Sequence, residues 1–335
     1  MNKKGEVVQG LTKSNIARQY RDIYGMVMPT KKLARIMYNE NKLSFTDVEH
    51  ARTTLRAIEG KKGCAAVLVT HPAPERPLNP YKLPDSDEET FEHFYIKGFK
   101  TGLIINDLHI PYHNQAAITA CFDYAKKHTP DFVFVNGDLN DFHSVSYFLR
   151  DPRKKRFSEE IEMACDFLKL LKSIFKCKIF LKFGNHEERY DNFLFQKAHE
   201  LKGLDEFELE NIYKSRVPDI EIIRDKRLVL INGLPFIHGH EFGRAIFSPV
   251  NAARGLILRS KHSAVKGDCH TTSEHATKDI LGKIMTTFSI GCLCGLTPKW
   301  LPLNEWNHGF AMIYLNENGE DYEFRNYRIY NGKVL

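Results

Sequence analysis

No apolar run in the 335 residues approaches the roughly 18 that a membrane helix needs, so no membrane partner is expected. The opening "MNKKGEVVQG" has no hydrophobic stretch behind its lysines and does not read as a signal peptide. There is no C-x-x-C pair. The seven cysteines are odd in number and irregularly spaced, which argues against a disulfide framework and for reduced thiols in a cytoplasm. Cys292 and Cys294 read as two buried strand thiols, with metal contact as the alternative. A Walker loop, a G-x-G-x-x-G turn and a G-x-S-x-G elbow are all missing, so their chemistries have no footing. No internal repeat is visible.

What is present is globular. Apolar residues make up 42% and charged residues 27%, and the length fits one large domain plus a small one. The net charge of +6 is uneven. Residues 1–62 hold 13 Lys+Arg against 6 Asp+Glu, a surplus of +7, which leaves the remainder at −1. That concentration points to an anionic partner for the N-terminal segment, DNA or RNA among them; a solvated helical face is the plainer reading.

Residues 13–60 show three helical patterns. The first places Ile16, Tyr20 and Ile23 on one face and ends at Gly25. The second follows Pro29, with Thr30 as N-cap and Leu33, Ile36 and Met37 inward. The third opens on the capping-box pattern Thr46-Asp-Val-Glu49 and stops at Gly60. A basic helical domain over 1–62, helix-turn-helix-like, is expected, with Arg52, Arg56, Lys61 and Lys62 suited to phosphate contacts. Five prolines in "PAPERPLNPYKLP" (72–84) and the acidic "DSDEE" (85–89) mark 63–96 as a linker or crossing segment. Beyond it, strand and helix alternate: strands in "FKTGLIIND", "DFVFVNGD" and "CKIFLKFGN", helices over 114–127, 158–175 and 188–201. "RLVLINGLPFIHGH" reads as a hairpin turning at Asn232-Gly233. Residues 97–335 thus form one α/β domain.

Three successive strands end alike. The first delivers Asp107 and His109, which alternation along an extended chain would put on one side. The second delivers Asp138 and Asp141; the third, in "LKFGNHEE", delivers Asn185, His186 and Glu187. Ligands of open α/β sheets bind beyond the carboxyl ends of the strands. Three strands carrying oxygen and imidazole donors to that edge would build one site, and chance clustering of such costly polar groups is a poor rival explanation. Glu187 and Glu188 would open the next helix, where acidic groups suit the dipole.

In order and spacing these residues resemble the calcineurin-like metallophosphoesterases, whose signature runs D-x-H, G-D-x-x-D, G-N-H-E/D, a lone His, then G-H-x-H. The matching stretches are Asp107-Leu-His109, Gly137 to Asp141, Gly184-Asn-His-Glu187, His238 after "LPFI", and Gly267-Asp268-Cys269-His270. "GNHEER" and "PLNEWNHGF" look most like members encoded by phages or prophages, which would place the protein in a host cytoplasm.

The resemblance implies a four-layer α/β sandwich of two mixed sheets flanked by helices, over about residues 97–330. It implies two divalent metal ions bridged by Asp138. Asp107, His109 and His270 would complete the first site; Asn185, His238 and residue 268 would serve the second. His186, oriented by Asp141, would act on the leaving group. Mixed nitrogen and oxygen ligands suit manganese foremost, and also Fe, Zn, Ni, Co or Mg. Asp268 departs from the family's histidine. It could coordinate through oxygen, weaken the second site, or be an engineered replacement. The leading expectation is a phosphodiesterase or nuclease on nucleic acid or nucleotides. The alternatives are a phosphomonoesterase, and a catalytically impaired nucleic-acid-binding protein.

Overall fold

The computed structural model describes residues 12–60, 80–86, 91–147, 151, 153–242, 251–316 and 321–335. Lys61, Lys62 and most of the proline-rich stretch lie outside the described residues. The chain divides into two compact units, Met1–Glu88 and Glu89–Leu335.

The first unit holds α1 (Lys13–Tyr24), α2 (Thr30–Glu40) and α3 (Val48–Ile58). Ile16, Ala17, Tyr20, Leu33, Met37, Ala51 and Leu55 form its core. Ile23, expected inward, is exposed, because the inner face of α1 runs through Ala17 and Arg21 instead. Arg21 is buried and forms an ion pair with the buried Glu59. Its remaining N–H groups reach Gly25 O (2.9 Å), Met28 O (2.7 Å) and Thr30 Oγ1 (3.1 Å). Thr30 does not cap α2: Pro29 holds that position, and Thr30 donates to Glu59 Oε2 instead (2.7 Å). At α3 the cap is Asp47, accepting from His50 N (2.7 Å), one residue beyond the expected capping-box threonine. The α2–α3 connection, 41–47, is longer than the roughly three- to four-residue turn of a helix-turn-helix.

The second unit is built on two sheets. The seven-stranded sheet runs β13-β12-β11-β2-β3-β4-β5 and the six-stranded sheet β1-β6-β7-β8-β10-β9. In the first, β2 (Thr101–Ile105), β3 (Phe132–Asn136), β4 (Lys178–Lys182) and β5 (Ile220–Ile223) are parallel. β11 (His308–Leu315), β12 (Tyr322–Tyr330) and β13 (Lys333–Val334) extend it antiparallel. The second sheet contains β1 (Phe94–Ile96), β6 (Val229–Ile231), β7 (Leu234–Ile237), β8 (Ala264–Lys266), β9 (Ser273–Lys278) and β10 (Ile284–Ser289). The expected crossing segment therefore ends in a strand, since β1 pairs with β6. The β6–β7 hairpin turns at Asn232 and Gly233, both left-handed, as a tight two-residue turn requires.

Buried parallel strands read as unbroken apolar runs because each face has its own partner. Phe132, Phe134 and Phe180 face the other sheet, together with Phe236 and Val265. Val133, Val135, Ile179 and Leu181 face the helices α4 (Gln115–Lys127), α5 (Phe157–Phe175), α6 (Glu188–Lys197) and α7 (Leu209–Arg216). On the far side of the six-stranded sheet, α8 (Ala252–Ser260) packs Leu256 against Ile237 and Ala264. The order of layers is helix, sheet, sheet, helix.

α5 also anchors the loop after β3. Glu160 is buried; its Oε2 accepts from Phe142 N (2.6 Å), and its backbone O accepts from Asn140 Nδ2 (3.0 Å). Burial pushes the Glu160 carboxyl up to about 8. Below the ordinary carboxyl range both folded and unfolded chains hold this proton, so it does not affect stability. As pH rises from about 4.5 to 8 the unfolded chain releases it first, and stability falls. Glu160→Gln removes that loss while keeping an acceptor for Phe142. The stability of the variant relative to the native chain, from urea melts, is expected to grow by a few kcal/mol across that window. A pH-independent difference would contradict this account.

Candidate metal centre

The C-terminal ends of β2, β3, β4, β7 and β8 meet at one edge of the sandwich, and the side chains just past them converge. Asp107 Oδ1 lies 3.3 Å from His270 Nε2, 3.8 Å from His109 Nε2 and 3.9 Å from His238 Nε2. Asp138 Oδ2 lies 3.3 Å from His238 Nε2 and 3.7 Å from both His109 and His186 Nε2. Asn185 Oδ1 stands 3.1 Å from His238 Nε2. Asp268 Oδ1 is 3.9 Å from the same nitrogen, with its side chain about one-third exposed. Asp141 Oδ1 is 3.5 Å from Nδ1 of both His109 and His186. All nine expected residues of this edge stand in one cluster.

The alternation expected for Asp107 and His109 is not how they arrive there. β2 ends at Ile105, and both residues adopt left-handed backbone, as do Asp138, Asp268 and His270. Tight exits, not strand pleating, aim them. Gly137 and Gly184 are required at these exits. A Cβ on Gly137, itself left-handed, would overlap the His238 ring, and one on Gly184 would overlap Asp138.

Several residues organise the edge in ways the sequence did not assign to them. Glu187 does not serve the helix dipole; its carboxylate is fully buried. It accepts from Asp138 N (3.0 Å) and Gly184 N (2.8 Å) through Oε2 and from Asn140 N (3.0 Å) through Oε1. Burial, reinforced by Asp138, raises its carboxyl to about 7. Asn106, buried, donates to Asp107 and to Gly291 O. Asn136 Nδ2 donates to Ile237 O (2.8 Å), tying the two sheets together, and Asn136 O stands 2.7 Å from His238 Nδ1. The one signal for these residues was an asparagine closing each of two buried apolar runs. Arg189 donates to His186 Nε2 (2.8 Å) and to Asp141 O (2.7 Å). His186 Nδ1 is 2.9 Å from that same carbonyl, so its hydrogen sits on Nδ1. Cys294 is buried on the loop after β10, not in a strand, with Sγ 3.8 Å from His270 Nδ1.

Electrostatically the edge is a nest of opposed charges. Burial works against the Asp107 carboxylate, yet His270, His109 and His238 hold it well below the usual range. Asp138 and Asp141 are lowered in the same way by the imidazoles beside them. Burial lowers His109, but Asp107, Asp141 and Asp138 raise it to about 10. His186 is lowered, chiefly by burial.

The donor set fits a cation. Asp107 Oδ1 is buried without a hydrogen-bond partner. His109 and His270 turn their Nε2 atoms on each other at 3.1 Å, so one hydrogen or one cation can stand between them. Among the described residues, three groups of potential ligands each have their ligand atoms within 4.8 Å of one another: Asp107–Asp138–His238, His109–Asp138–His186 and His109–His270–Cys294. Asp138 and His109 each belong to two of them. His186, expected outside the ligand set, belongs to one.

A two-sheet sandwich with carboxylates, imidazoles and an amide crowded at one strand edge defines a metallophosphoesterase type of protein. The family model for calcineurin-like phosphoesterases matches residues 102–284, more than half of the chain, and the chain belongs to that family. Gene 54 protein of Mycobacterium phage L5 is 24% identical over 226 residues, which cover 63% of this chain and 87% of that protein. Vacuolar protein sorting 29 of Cryptosporidium parvum is similar at 15% identity, covering 71% of this chain and 96% of its own, with a TM-score of 0.40. A dimetal phosphatase of Danio rerio is similar at 13% identity, covering 71% and 98%, with a TM-score of 0.37.

Glu187 is an acceptor at both oxygens, so neither an apolar side chain nor an amide replaces it. Glu187→Ala leaves three buried N–H groups unpaired. Glu187→Gln presses an NH₂ against at least one of them. Both are expected to destabilise the chain by about 2–4 kcal/mol in urea melts without metal. A native-like midpoint for Glu187→Gln would refute the bonding described.

Proposed function

We propose that the protein is a two-metal phosphodiesterase acting on nucleic acid or nucleotides. The observation that carries the proposal is the buried cluster around Asp107 and Asp138, with its unpartnered Asp107 Oδ1 and facing imidazoles. Asp107, His109, Asp138 and His270 would hold one ion. Asp138, Asn185, His238 and Asp268 would hold the other. Divalent ions bound there supply charge neutralisation for the phosphate and a lowered pKa for water. The mixed donor set admits manganese, the ion proposed, and equally Fe, Zn, Ni or Co.

The remaining roles belong to side chains. His186 stands beside Asp138, its Nδ1 hydrogen directed to Asp141 O, so its Nε2 faces the edge as an acceptor shared with Arg189. Arg189 adds a permanent cation there, suited to a non-bridging phosphate oxygen. Substrate that draws the guanidinium away would free His186 Nε2 to take a proton from solvent and then give it to the leaving oxygen, returning to its neutral form.

The N-terminal unit supports recruitment of a polyanion. On α3, Arg52 and Arg56 share a face and are half-exposed, although Arg52 also pairs with Glu49 (3.1 Å). α2 exposes Lys31, Lys32 and Arg35, which the sequence reading did not single out.

Two experiments test this. With Mn²⁺, a generic aryl phosphodiester is expected to be cleaved faster than the matching monoester, and chelator should abolish both. In calorimetric Mn²⁺ titration, Asp268→His is expected to tighten the weaker of two sites by at least about tenfold, the scale on which even outer ligands act. Two equally tight sites in the native chain would overturn the unequal-site reading, and faster monoester cleavage would favour the phosphomonoesterase. For recruitment, polynucleotide affinity should fall steeply with salt. Arg52→Ala and Arg56→Ala should each lower the log–log slope by about 1. Equal binding by a chain lacking residues 1–90 would exclude recruitment by this unit.

A further inference from the structure

We propose that Trp300 and Trp306 form a stacking platform for the nucleobase attached to the phosphate that the metal centre handles. This rests on the phosphodiesterase reading above and names the part of the substrate that reading leaves unassigned.

Three rings run outward from the edge in unbroken contact. His270, whose Nε2 faces Asp107 and His109, meets the Trp306 ring at 4.1 Å between centroids. Trp306 meets Trp300 at 5.7 Å. Trp300 then opens to solvent, 73% exposed, beside Leu303 at 90%. Leaving so much indole in water forgoes a large apolar burial, and an exposed aromatic patch of this kind marks a recognition surface.

The loop that carries these rings is held in place. Asn304 Nδ2 donates to Leu296 O and Leu301 O, each at 2.8 Å, and its Oδ1 accepts from Trp306 N (2.9 Å). Asn307 N donates to His270 O (2.9 Å), and its Oδ1 accepts from Thr272 N (3.1 Å). The platform is thereby tied to the histidine motif itself. On the other side of the loop, Gly295 N donates to Tyr112 O (2.8 Å), and Lys154 Nζ lies 4.7 Å from the Tyr112 ring centroid. The segment to which the loop is tied thus carries a cation over an aromatic ring.

This combination suits single-stranded nucleic acid or a nucleotide, because every base has a π-face and aromatic stacking tolerates sequence. A base one sugar away from a phosphate at Asp107 and Asp138 would meet the rings.

The test uses the full chain. Its two tryptophans both lie in this loop, so intrinsic fluorescence reports on this place alone. In chelator, a short thymidine oligonucleotide is expected to quench the emission saturably, and an abasic oligomer of equal length and charge to do so far more weakly. Trp300→Ala should weaken the thymidine affinity about 5- to 150-fold, read from quenching of Trp306, and Trp300→Tyr should restore most of it. With Mn²⁺, the ratio of thymidine to abasic cleavage should fall toward one in Trp300→Ala. Equal quenching by both oligomers, or undiminished affinity in Trp300→Ala, would overturn the platform. So would a concentration-dependent blue shift with no nucleotide response, which would assign the patch to a protein contact. The quenching needs no catalysis, so selective quenching without cleavage of any ester would uphold the platform and reject the phosphodiesterase. Cleavage without base preference would do the reverse.

Discussion

The buried carboxylate of Glu187 is the interaction on which the edge depends. It holds Asp138 N and Asn140 N, just past β3, and Gly184 N, just past β4, on two oxygens. The grip matters because the backbone there is uncomfortable. Asp107, His109, Asp138, Asp268 and His270 all adopt left-handed conformations, which non-glycine residues enter only under constraint. Aspartate and histidine tolerate that region better than branched side chains, so the residue types that suit a metal also suit the turns. Asn106, Asn136 and Glu160 supply further buried bonds to the same loops. Strands β2, β3, β4, β7 and β8 bring the loops to one edge, and these buried hydrogen bonds hold them there.

That division of labour explains what the sequence disclosed. The strands were legible because each is a short apolar run buried on both faces, as in "FVFVN" and "KIFLK". The order of Asp107, Asp138 and His186 was legible because topology brings the ends of parallel strands to one side. What was hidden lies beyond periodicity. Nothing in the spacing says that Asp107 and His109 leave the strand before their side chains turn, or that Glu187 faces inward while Glu188 turns to His240 (2.9 Å). Both glutamates suit the start of a helix, and only the packed β3 loop distinguishes them. The caps of α2 and α3 were off by one residue for a related reason. Thr30 is claimed by a tertiary partner, Glu59, and Asp47 outcompetes its neighbour Thr46.

In the N-terminal unit a buried Arg21–Glu59 pair stands where a second apolar layer would be more stable. Such a pair is costly to break and adds little net stability, but its geometry is demanding. Five donors on one guanidinium reach α3, the α1–α2 turn and the start of α2, so the three helices share one angular reference. A small core gains definition from that. The cations of α2 and α3 are thereby held in a fixed pattern.

Asp268 is the place where fold and chemistry pull apart. Its backbone serves the fold: its N–H bonds Asp107 Oδ2 at 3.0 Å, and its left-handed φ matches that of His270 two residues on. The N–H bond is independent of the side chain, and aspartate, like histidine, tolerates the left-handed backbone. The side chain is another matter. Asp107 and Asp138 are buried and compensated by the imidazoles packed around them, whereas Asp268 is about one-third exposed and lies 3.9 Å from His238. Its charge therefore acts outward, on whatever approaches the mouth. A carboxylate there opposes an anionic phosphate brought to the mouth, unless a cation stands between them. The same charge attracts that cation. In the two-metal reading proposed above, aspartate at this position would make the binding of an anionic substrate conditional on occupation of the second site, where a neutral histidine would leave the two events more nearly independent.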